Sequence, residues 1–429
     1  RFAHDGLEHI VPLLHESSRE VVPYSAVGPY SHERYIDDIQ ETSAGRANPT
    51  LIDIVVGESY DTMAWMRDHG VKWELATLKF VKRDQLSTDH PYELPPGGAV
   101  RTVHDGIGLT DDLFAAVEAA EGIEIRYESP AHELIADGST VLGVRVRRGD
   151  SFEEFYGPVI LASGGFEASP EMRLRYLGEG WDLVKVRGTR FNKGVMLTEA
   201  LRVGAQAVGH WGGCHATPVA GDAPKEGDLA ITDETGRHSY PYGLLVNKDG
   251  RRFVDEGERQ YLYTYAKTGA AIRGQREAWA AQVFDQRALH ALQPRYSTQT
   301  PVVADTIAEL EAKLGIAGGQ LERTVEEYNR STPADVSGFD PAVEDGLATT
   351  GLPLPKSNWA LPLDRPPFVA YPVTTGITFT YGGILVDTDA RVVDNEGKPM
   401  PGLFATGEMT GDFFYHNYAG GSGLMRGAV

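Results

Sequence analysis

Cysteine is almost absent. Cys214 stands alone among 429 residues, which rules out an internal disulfide and suits a reducing compartment, with the cytoplasm the expected one. No run of about eighteen apolar residues occurs, and no basic stretch followed by an apolar one opens the chain, so neither a membrane-spanning helix nor a secretory leader is expected. Positive charge is scarce too. Lys and Arg number 40 against 61 Asp and Glu, a net of −21, and the basic residues form no stripe that would track phosphate backbones, which excludes nucleic acid as a partner. No spaced Cys/His cluster offers a metal site, and no internal repeat or low-complexity tract is present. Against these absences, 41% hydrophobic and 9% aromatic residues supply a sizeable core, and the length favours two domains or one domain carrying a large insertion.

The first hundred residues read as mostly helical, with Leu51, Ile52, Val55 and Val56 on one face and a second helix closing at Gly70. From Asp111 the rhythm changes. A helix over 113–120 stops at Gly122, and alternating runs at 123–127, 132–136 and 141–146 read as short strands, the last two joined by a turn at Asp137-Gly138. Val159-Ile160-Leu161-Ala162 then enters Ser163-Gly164-Gly165-Phe166, the pattern of a buried strand meeting a glycine turn. A helix over 195–202 follows. Between about 209 and 372 aromatic residues, His and Pro cluster and two helices appear late, one opening on the capping box Thr306-x-x-Glu309 before Leu310 and Leu314; this stretch reads as an inserted domain. The tail returns to strands and glycines at 382–386, 402–408 and 419–423.

Two strand-to-glycine turns, Ala162-Ser163-Gly164-Gly165 and Ala405-Thr406-Gly407-Glu408, carry the chemistry. In an open α/β sheet ligands sit beyond the carboxyl ends of the strands, and glycine there lets backbone approach a nucleotide closely. Either turn alone suits a plain structural role. Glu408 is positioned to accept hydrogen bonds from ribose or ribityl hydroxyls, or else to cap the next helix.

Five runs in fixed order resemble a known family: 161–166; Arg187-Gly188-Thr189-Arg190-Phe191-Asn192-Lys193-Gly194; 243–256, ending in Phe253-Val254-Asp255-Glu256; Gly376-Ile377-Thr378-Phe379-Thr380-Tyr381-Gly382-Gly383; and 401–408. The resemblance is to the flavoprotein subunits of fumarate reductase and succinate dehydrogenase, most nearly their FAD-dependent tricarballylate dehydrogenase branch. It implies an α/β fold in which a bipartite, glutathione reductase-like FAD-binding domain (1–208 and 373–429) is interrupted by an α+β capping domain (209–372), with substrate held between cap and flavin. The family's glycine-rich βαβ anchor for the adenine nucleotide would precede Arg1, residues 1–6 match the segment after it, and Val429 falls inside what reads as a helix. The chain is therefore expected to lack pieces at both ends and to hold FAD poorly by itself. The same matching puts Ala131 against the adenine, Ala162, Gly164 and Gly165 along the cofactor, Thr189, Asn192 and Gly194 near the flavin, and Glu408 on the FAD chain. Gly421, Ser422 and Leu424 match the loop whose amides face the pyrimidine edge of the ring, where negative charge gathers on reduction.

At the substrate side the sequence departs from fumarate reductases. Their cap histidine has a counterpart in His215, but Thr378 and Tyr418 replace a histidine and an arginine that bind substrate, and Gln260, flanked by Arg259 and Tyr261, stands where the proton-donating arginine is expected. A two-arginine clamp on a dicarboxylate is thus not expected. The resemblance leaves two chemistries open. In one, hydride passes between flavin N5 and a C–C bond beside a carboxylate, with Arg259 as proton carrier, His215 and His416 binding carboxylate and Thr378 contacting substrate. In the other, a 3-oxosteroid or ketone Δ1-dehydrogenation, Tyr418 polarises the carbonyl and Tyr261 removes the proton. His238 is a further candidate substrate contact. An inactive flavin-binding scaffold is the third reading, suggested by the replaced arginines. Tyr261, Tyr263 and Tyr265 alternate, which also suits strand packing, and Cys214 suits a small buried residue. The expected partners are a small-molecule carboxylate or ketone and an electron-transfer partner of unassigned identity.

Overall fold

Val159–Leu161 and Pro399–Ala405, far apart in sequence, pair in parallel in the computed structural model, which describes residues 1–316 and 318–429. Leu403 lies opposite Val159 and Ala405 opposite Leu161, and the Thr406 N–H donates to the Leu161 carbonyl at 3.0 Å. Leu161, Leu403 and Ala405 are buried, as apolar runs in a parallel pair should be. Ile160, expected to be buried with them, is exposed: the strand is three residues long and its second edge has no strand partner among the described residues. Arg391–Val393 completes this sheet as an antiparallel outer strand.

The Asp137-Gly138 turn joins Ala131–Asp137 to Thr140–Arg148, with Gly138 at φ +58°, and Ser151–Tyr156 adds a third strand to the meander. Residues 123–127, expected as a strand, form none. No neighbouring strand among the described residues offers them ladder partners, and an isolated strand leaves its backbone groups unpaired. The preceding helix is Asp105–Ala119; it has no buried residue and leaves Ile107, Leu113 and Phe114 exposed.

The second sheet is built on one long ribbon. Ala207–Ala220 runs antiparallel to Phe368–Ile384, from Ala207 opposite Ile384 to Ala220 opposite Val373. With 17 residues, Phe368–Ile384 reaches roughly 55 Å at the rise of an extended chain. It therefore links the cofactor-type sheet to a separate layer, where it also pairs with Trp279–Phe284 and Val302–Ala304, with Leu244–Asn247 outside Trp279–Phe284. The expected domain limits near 208 and 372 fall inside these two strands. Ile307–Lys313 and Gln320–Ser331 pack on that layer through Leu310, Leu314, Leu321 and Val325. The Thr306 hydroxyl accepts the Glu309 N–H at 3.1 Å, but the Glu309 carboxylate reaches back to the Asp305 N–H at 3.0 Å, one residue before the expected capping-box partner.

The helices His32–Thr42, Pro49–Gly57 and Ser59–Asp68 share one core with residues from the far end of the chain: Ile52, Val55 and Val56 are buried in the same cluster as Tyr261, Tyr265, Phe414 and Tyr418. Asn48 caps the second helix by accepting the Thr50 and Leu51 N–H groups. No helix among the described residues is long and apolar enough to cross a membrane.

Tyr265–Arg273 lies directly on the strand Ala207–Ala220. A β-carbon at Gly269 would overlap the Thr217 backbone, so glycine sets how closely helix and strand approach. In an exposed helix Gly→Ala stabilises by about 1 kcal/mol. Here the overlap with backbone decides the sign, and Gly269→Ala is expected to destabilise by about 1–3 kcal/mol, read as a lower thermal midpoint; an unchanged or higher midpoint would show the helix free to retreat.

Candidate active site

The two glycine turns meet at one strand. The Thr380 N–H donates to Glu408 Oε1 at 2.7 Å and its hydroxyl to the same oxygen at 3.1 Å, so Glu408 caps no helix but leans onto Phe368–Ile384. Gly165 lies beneath this contact: a β-carbon there would overlap Glu408 Oε1 and Thr380 Oγ1, and one at Gly164, which sits at φ +74°, would overlap the Asn192 amide. Asn192 Nδ2 donates to Glu167 Oε1 at 2.6 Å and to Glu408 Oε2 at 3.4 Å. Glu167 is buried, and burial together with the neighbouring Glu408 raises its carboxyl well above the usual carboxylate range. Its Oε2 has no partner. Glycine backbone at the carboxyl ends of parallel strands, two acidic groups and an amide make a donor and acceptor set that fits the hydroxyl-bearing chain of a dinucleotide. Gly164, Gly165, Asn192 and Glu408 would hold it.

Two residues away, Thr378 shares the Thr380 side of the strand and faces a cation: Arg187 Nη1 donates to its hydroxyl at 3.1 Å. Phe379, between them, faces the aromatic cluster. Opposite it is His215, which the ribbon displays at an irregularity, with register shifts on both sides, between His210 and Cys214 and between His215 and Ala216. The His215 ring stacks on Phe379 at 5.1 Å and meets Tyr265 and Tyr418 edge-on at 4.8 and 4.7 Å. Tyr261 stacks on His238 at 5.2 Å, and Tyr265 also reaches His238 at 5.2 Å. His215, His238, Tyr261, Tyr265 and Tyr418 are all buried.

Burial sets their protonation. Desolvation, then Arg187, pushes His215 well below its ordinary value, and desolvation, then Arg295, does the same to His238, so both rings are neutral. His238 Nε2 pairs with the Thr217 hydroxyl at 2.8 Å, while Nδ1 of each ring has no partner. Burial likewise raises the three tyrosines, which keeps them as phenols. The Tyr418 oxygen accepts the Gly421 and Gly423 N–H groups at 3.0 Å each, which leaves its proton free to donate outward.

The expected residues divide. His215, His238, Tyr261, Tyr418 and Thr378 surround one region, with Gly164, Gly165, Asn192 and Glu408 on its cofactor side. Arg259 is elsewhere: its guanidinium pairs with Glu41 and, at 3.1 Å, with Glu344, and lies over Tyr263. A cation already shared by two carboxylates at the surface is no proton carrier for the cluster. His416 is exposed, at φ +58°, with its N–H on His210 Nδ1 at 3.1 Å and its ring beside that histidine. Ala162, Thr189 and Leu424 are exposed, Ala131 is half-buried at a strand start, and Gly194, Gly421 and Ser422 open helices, Gly194 and Gly421 in left-handed conformations. Tyr261, Tyr263 and Tyr265 form no strand but a turn and a helix start, which splits them: Tyr263 donates to Asp38 at 2.8 Å, away from the other two. Cys214 is buried, and burial pushes its thiol up. Sequence reasoning missed Tyr265, Glu167 and the arginines. Arg187 stood unassigned in a quoted run, whereas nothing local singles out Arg295.

A model of the FAD binding domain family matches residues 23–424. The chain belongs to that family. Among members with described activities, the NADH:acrylate oxidoreductase of Vibrio harveyi is 28% identical over 87% of this chain and 35% of its own length. The 4-oxocyclohexanecarboxylate 2-dehydrogenase of Sinomonas cyclohexanicum is 29% identical over 78% of this chain and 60% of its own. The chain thus spans less than two thirds of either relative. The open conformation of a flavocytochrome c3 fumarate reductase superimposes with a TM-score of 0.65 at 24% identity, over 93% of this chain and 65% of that one. The fold is accordingly that of an α/β FAD-binding flavoprotein with an inserted capping layer, and FAD is the cofactor.

Two outcomes are expected. Gly165→Ala forces Glu408 off Thr380 and should lower FAD retention on gel filtration, read as the flavin-to-protein absorbance ratio, whereas Gly188→Ala, which meets only the Thr378 carbonyl at 3.9 Å, should not. His238 should make stability fall in acid. It is neutral when folded but free to protonate near 6.5 when unfolded, so lowering the pH through that value stabilises the unfolded chain alone. The parent should lose up to about 1.4 kcal/mol per pH unit relative to His238→Gln below pH about 6.5 and nothing above about 7.5; a flat difference would mean a protonated ring.

Proposed function

We infer that this chain is the catalytic part of an FAD-dependent oxidoreductase that acts on a C–C bond beside a carboxylate. The observation that carries the reading is the strand 378–380, where Thr378 on Arg187 and Thr380 on Glu408 stand two residues apart. One short extended segment thereby addresses an anion on one side and the cofactor chain on the other. Bound FAD would supply the two-electron, hydride-transferring chemistry.

The chain's own residues supply the rest. Arg187 and Thr378 bind the carboxylate adjacent to the reacting carbons. His215, neutral and with an unpaired Nδ1, orients that group without adding a charge. Phe379, Tyr265 and Phe414 exclude water. Tyr418 carries the proton: two backbone N–H groups on its oxygen stabilise the phenolate left when it donates, and the reverse direction uses the same atom as base. Electrons are exchanged with a carrier other than the substrate, as NADH is in the name of the acrylate relative.

The arrangement around Tyr418 also favours a second reading. A phenol that accepts two amide N–H groups and donates outward can polarise a ketone oxygen, with Tyr261 as base, in a ketone dehydrogenation of the kind named in the cyclohexanecarboxylate relative.

Turnover of the complete FAD-loaded protein, assayed with an artificial electron acceptor or donor on unsaturated and saturated carboxylates and on cyclic ketones, separates the readings. We expect turnover of carboxylates, and Tyr418→Phe to lower kcat by about 10²–10⁴-fold with a little-changed KM. Turnover of ketones alone would favour the second reading. No turnover of either class in a flavin-bearing protein would leave only a scaffold.

A further inference from the structure

The loop that ends on Tyr418 holds two residues in the backbone region that favours glycine. Asp412 sits at φ +67° and His416 at φ +58°, and neither is glycine. Such residues persist where the surroundings hold them in place. Asp412 is held several times over: its carbonyl accepts the Asn48 N–H at 2.9 Å, its Oδ2 accepts Asn48 Nδ2 at 3.0 Å, and its Oδ1 accepts the Tyr415 hydroxyl at 2.6 Å. His416 has far less. Among the described residues it makes one hydrogen bond, in which its N–H donates to His210 Nδ1 at 3.1 Å. Phe413 and Phe414, between the two strained positions, are buried in the aromatic cluster. After His416, Asn417 Nδ2 donates to the Tyr263 carbonyl at 2.7 Å, and Tyr418 follows.

The strand Ala207–Ala220 presents His210 to this loop. Residues 211–213 bulge out between the pairs His210–Tyr381 and Cys214–Thr380. A β-carbon on Gly213 would overlap His210 Nδ1, and one on Gly209, at φ +82°, would overlap the Asp412 nitrogen, so glycine lets ring, strand and loop touch. The His210 ring lies parallel to Tyr415 at 6.1 Å, with Tyr381 at 6.5 Å and the His416 ring at 4.8 Å. A nitrogen that accepts an N–H carries no proton of its own, so the ring is neutral with its hydrogen on Nε2. Its surroundings agree: burial first, then His416, then Arg46 hold His210 below its ordinary value. An imidazolium has a hydrogen on both nitrogens, which would set N–H against N–H and break the contact.

We propose that His210 is a positioning residue for Tyr418: its bare Nδ1 holds the His416 N–H, and with it the left-handed turn from which Tyr418 enters the site, and protonation of the ring releases that turn. The effect on turnover rests on the reading of Tyr418 as proton carrier, whereas the effect on the loop does not. Two backbone N–H groups, of Gly421 and Gly423, find the Tyr418 oxygen only while the loop keeps its place. Loss of the His210 contact therefore also costs these amides their acceptor.

Amide hydrogen exchange of the complete FAD-loaded protein, read by mass spectrometry on the peptides 411–418 and 419–425 and corrected for the intrinsic pH dependence of exchange, tests this without any substrate. In the parent, protection of both peptides should fall as the pH drops below about 6.5. His210→Asn puts an amide oxygen near the place of Nδ1 and does not titrate, so its protection at pH 7.5 should match the parent and stay flat in acid; the difference between the two isolates His210 from the other histidines. His210→Leu has no acceptor and should lose about tenfold in protection at every pH, the effect of one hydrogen bond. In that background His416→Gly, which takes a positive φ freely, should restore protection of 419–425. If the Leu variant folds poorly, the comparison of parent and Asn variant decides alone. Equal pH dependence in parent and Asn variant would overturn the contact, and a response of 411–418 without 419–425 would overturn its reach to Tyr418. Turnover separates the two readings: kcat should follow protection with a little-changed KM, and a kcat that ignores a clear loss of protection would sink Tyr418 as proton carrier and leave His210 as the residue that positions it.

Discussion

The backbone hydrogen bond from Thr406 to Leu161 closes the one contact on which the rest of the site depends. It registers two short parallel strands so that both glycine turns leave the sheet at the same end, and it delivers Glu408 over Gly165. Only backbone without a Cβ lets a carboxylate and a hydroxyl sit that close to the turn. Were the strands paired one residue out of step, Ala405 and Leu161 would turn to the opposite face and Glu408 would leave Thr380.

From that contact the organisation spreads along Phe368–Ile384. A strand alternates its faces, so a three-residue stretch can serve two environments: Thr378 and Thr380 take the polar tasks while Phe379 enters the aromatic cluster. The partner strand shifts register on either side of Cys214 and His215, and the neutral His215 imidazole, opposite Phe379, stands among phenols. Burial sets the state of every titratable group in the cluster, holding the histidines uncharged and the tyrosines protonated. The environment thus has proton donors and acceptors but little charge of its own. The charge is concentrated at the margin, in Arg187 and Arg295.

This division of polarity accounts for where the expected arginine failed. Arg259 stands two residues before Tyr261, yet its guanidinium turns outward to Glu41 and Glu344 while Tyr261 turns inward. The cations that do face the site come from a strand end and a distant turn. Both pair with Asp233, as does Lys79 of the helix Thr77–Phe80, and this shared neutralisation by one carboxylate ties the cap to that helix.

Much of the scaffold was legible in the residues themselves. Local chemistry fixed the Asp137-Gly138 turn, the Thr306 cap, the helix at 195–202 and both strand-to-glycine turns, because each is decided by the conformational preferences of a few adjacent residues. The ordered runs also carried the cofactor class. What the sequence could not contain was which separate pieces touch. The run 123–127 has strand-like alternation but forms no strand, since pairing needs a neighbour that local pattern cannot supply. Tyr265 and Tyr263 look equivalent along the chain, but a helix start turns one to His215 and the other to Asp38. Lys79, Arg187, Asp233 and Arg295 carry no shared motif, because a charge cluster is held by distances across the fold, and only tertiary packing sets those distances.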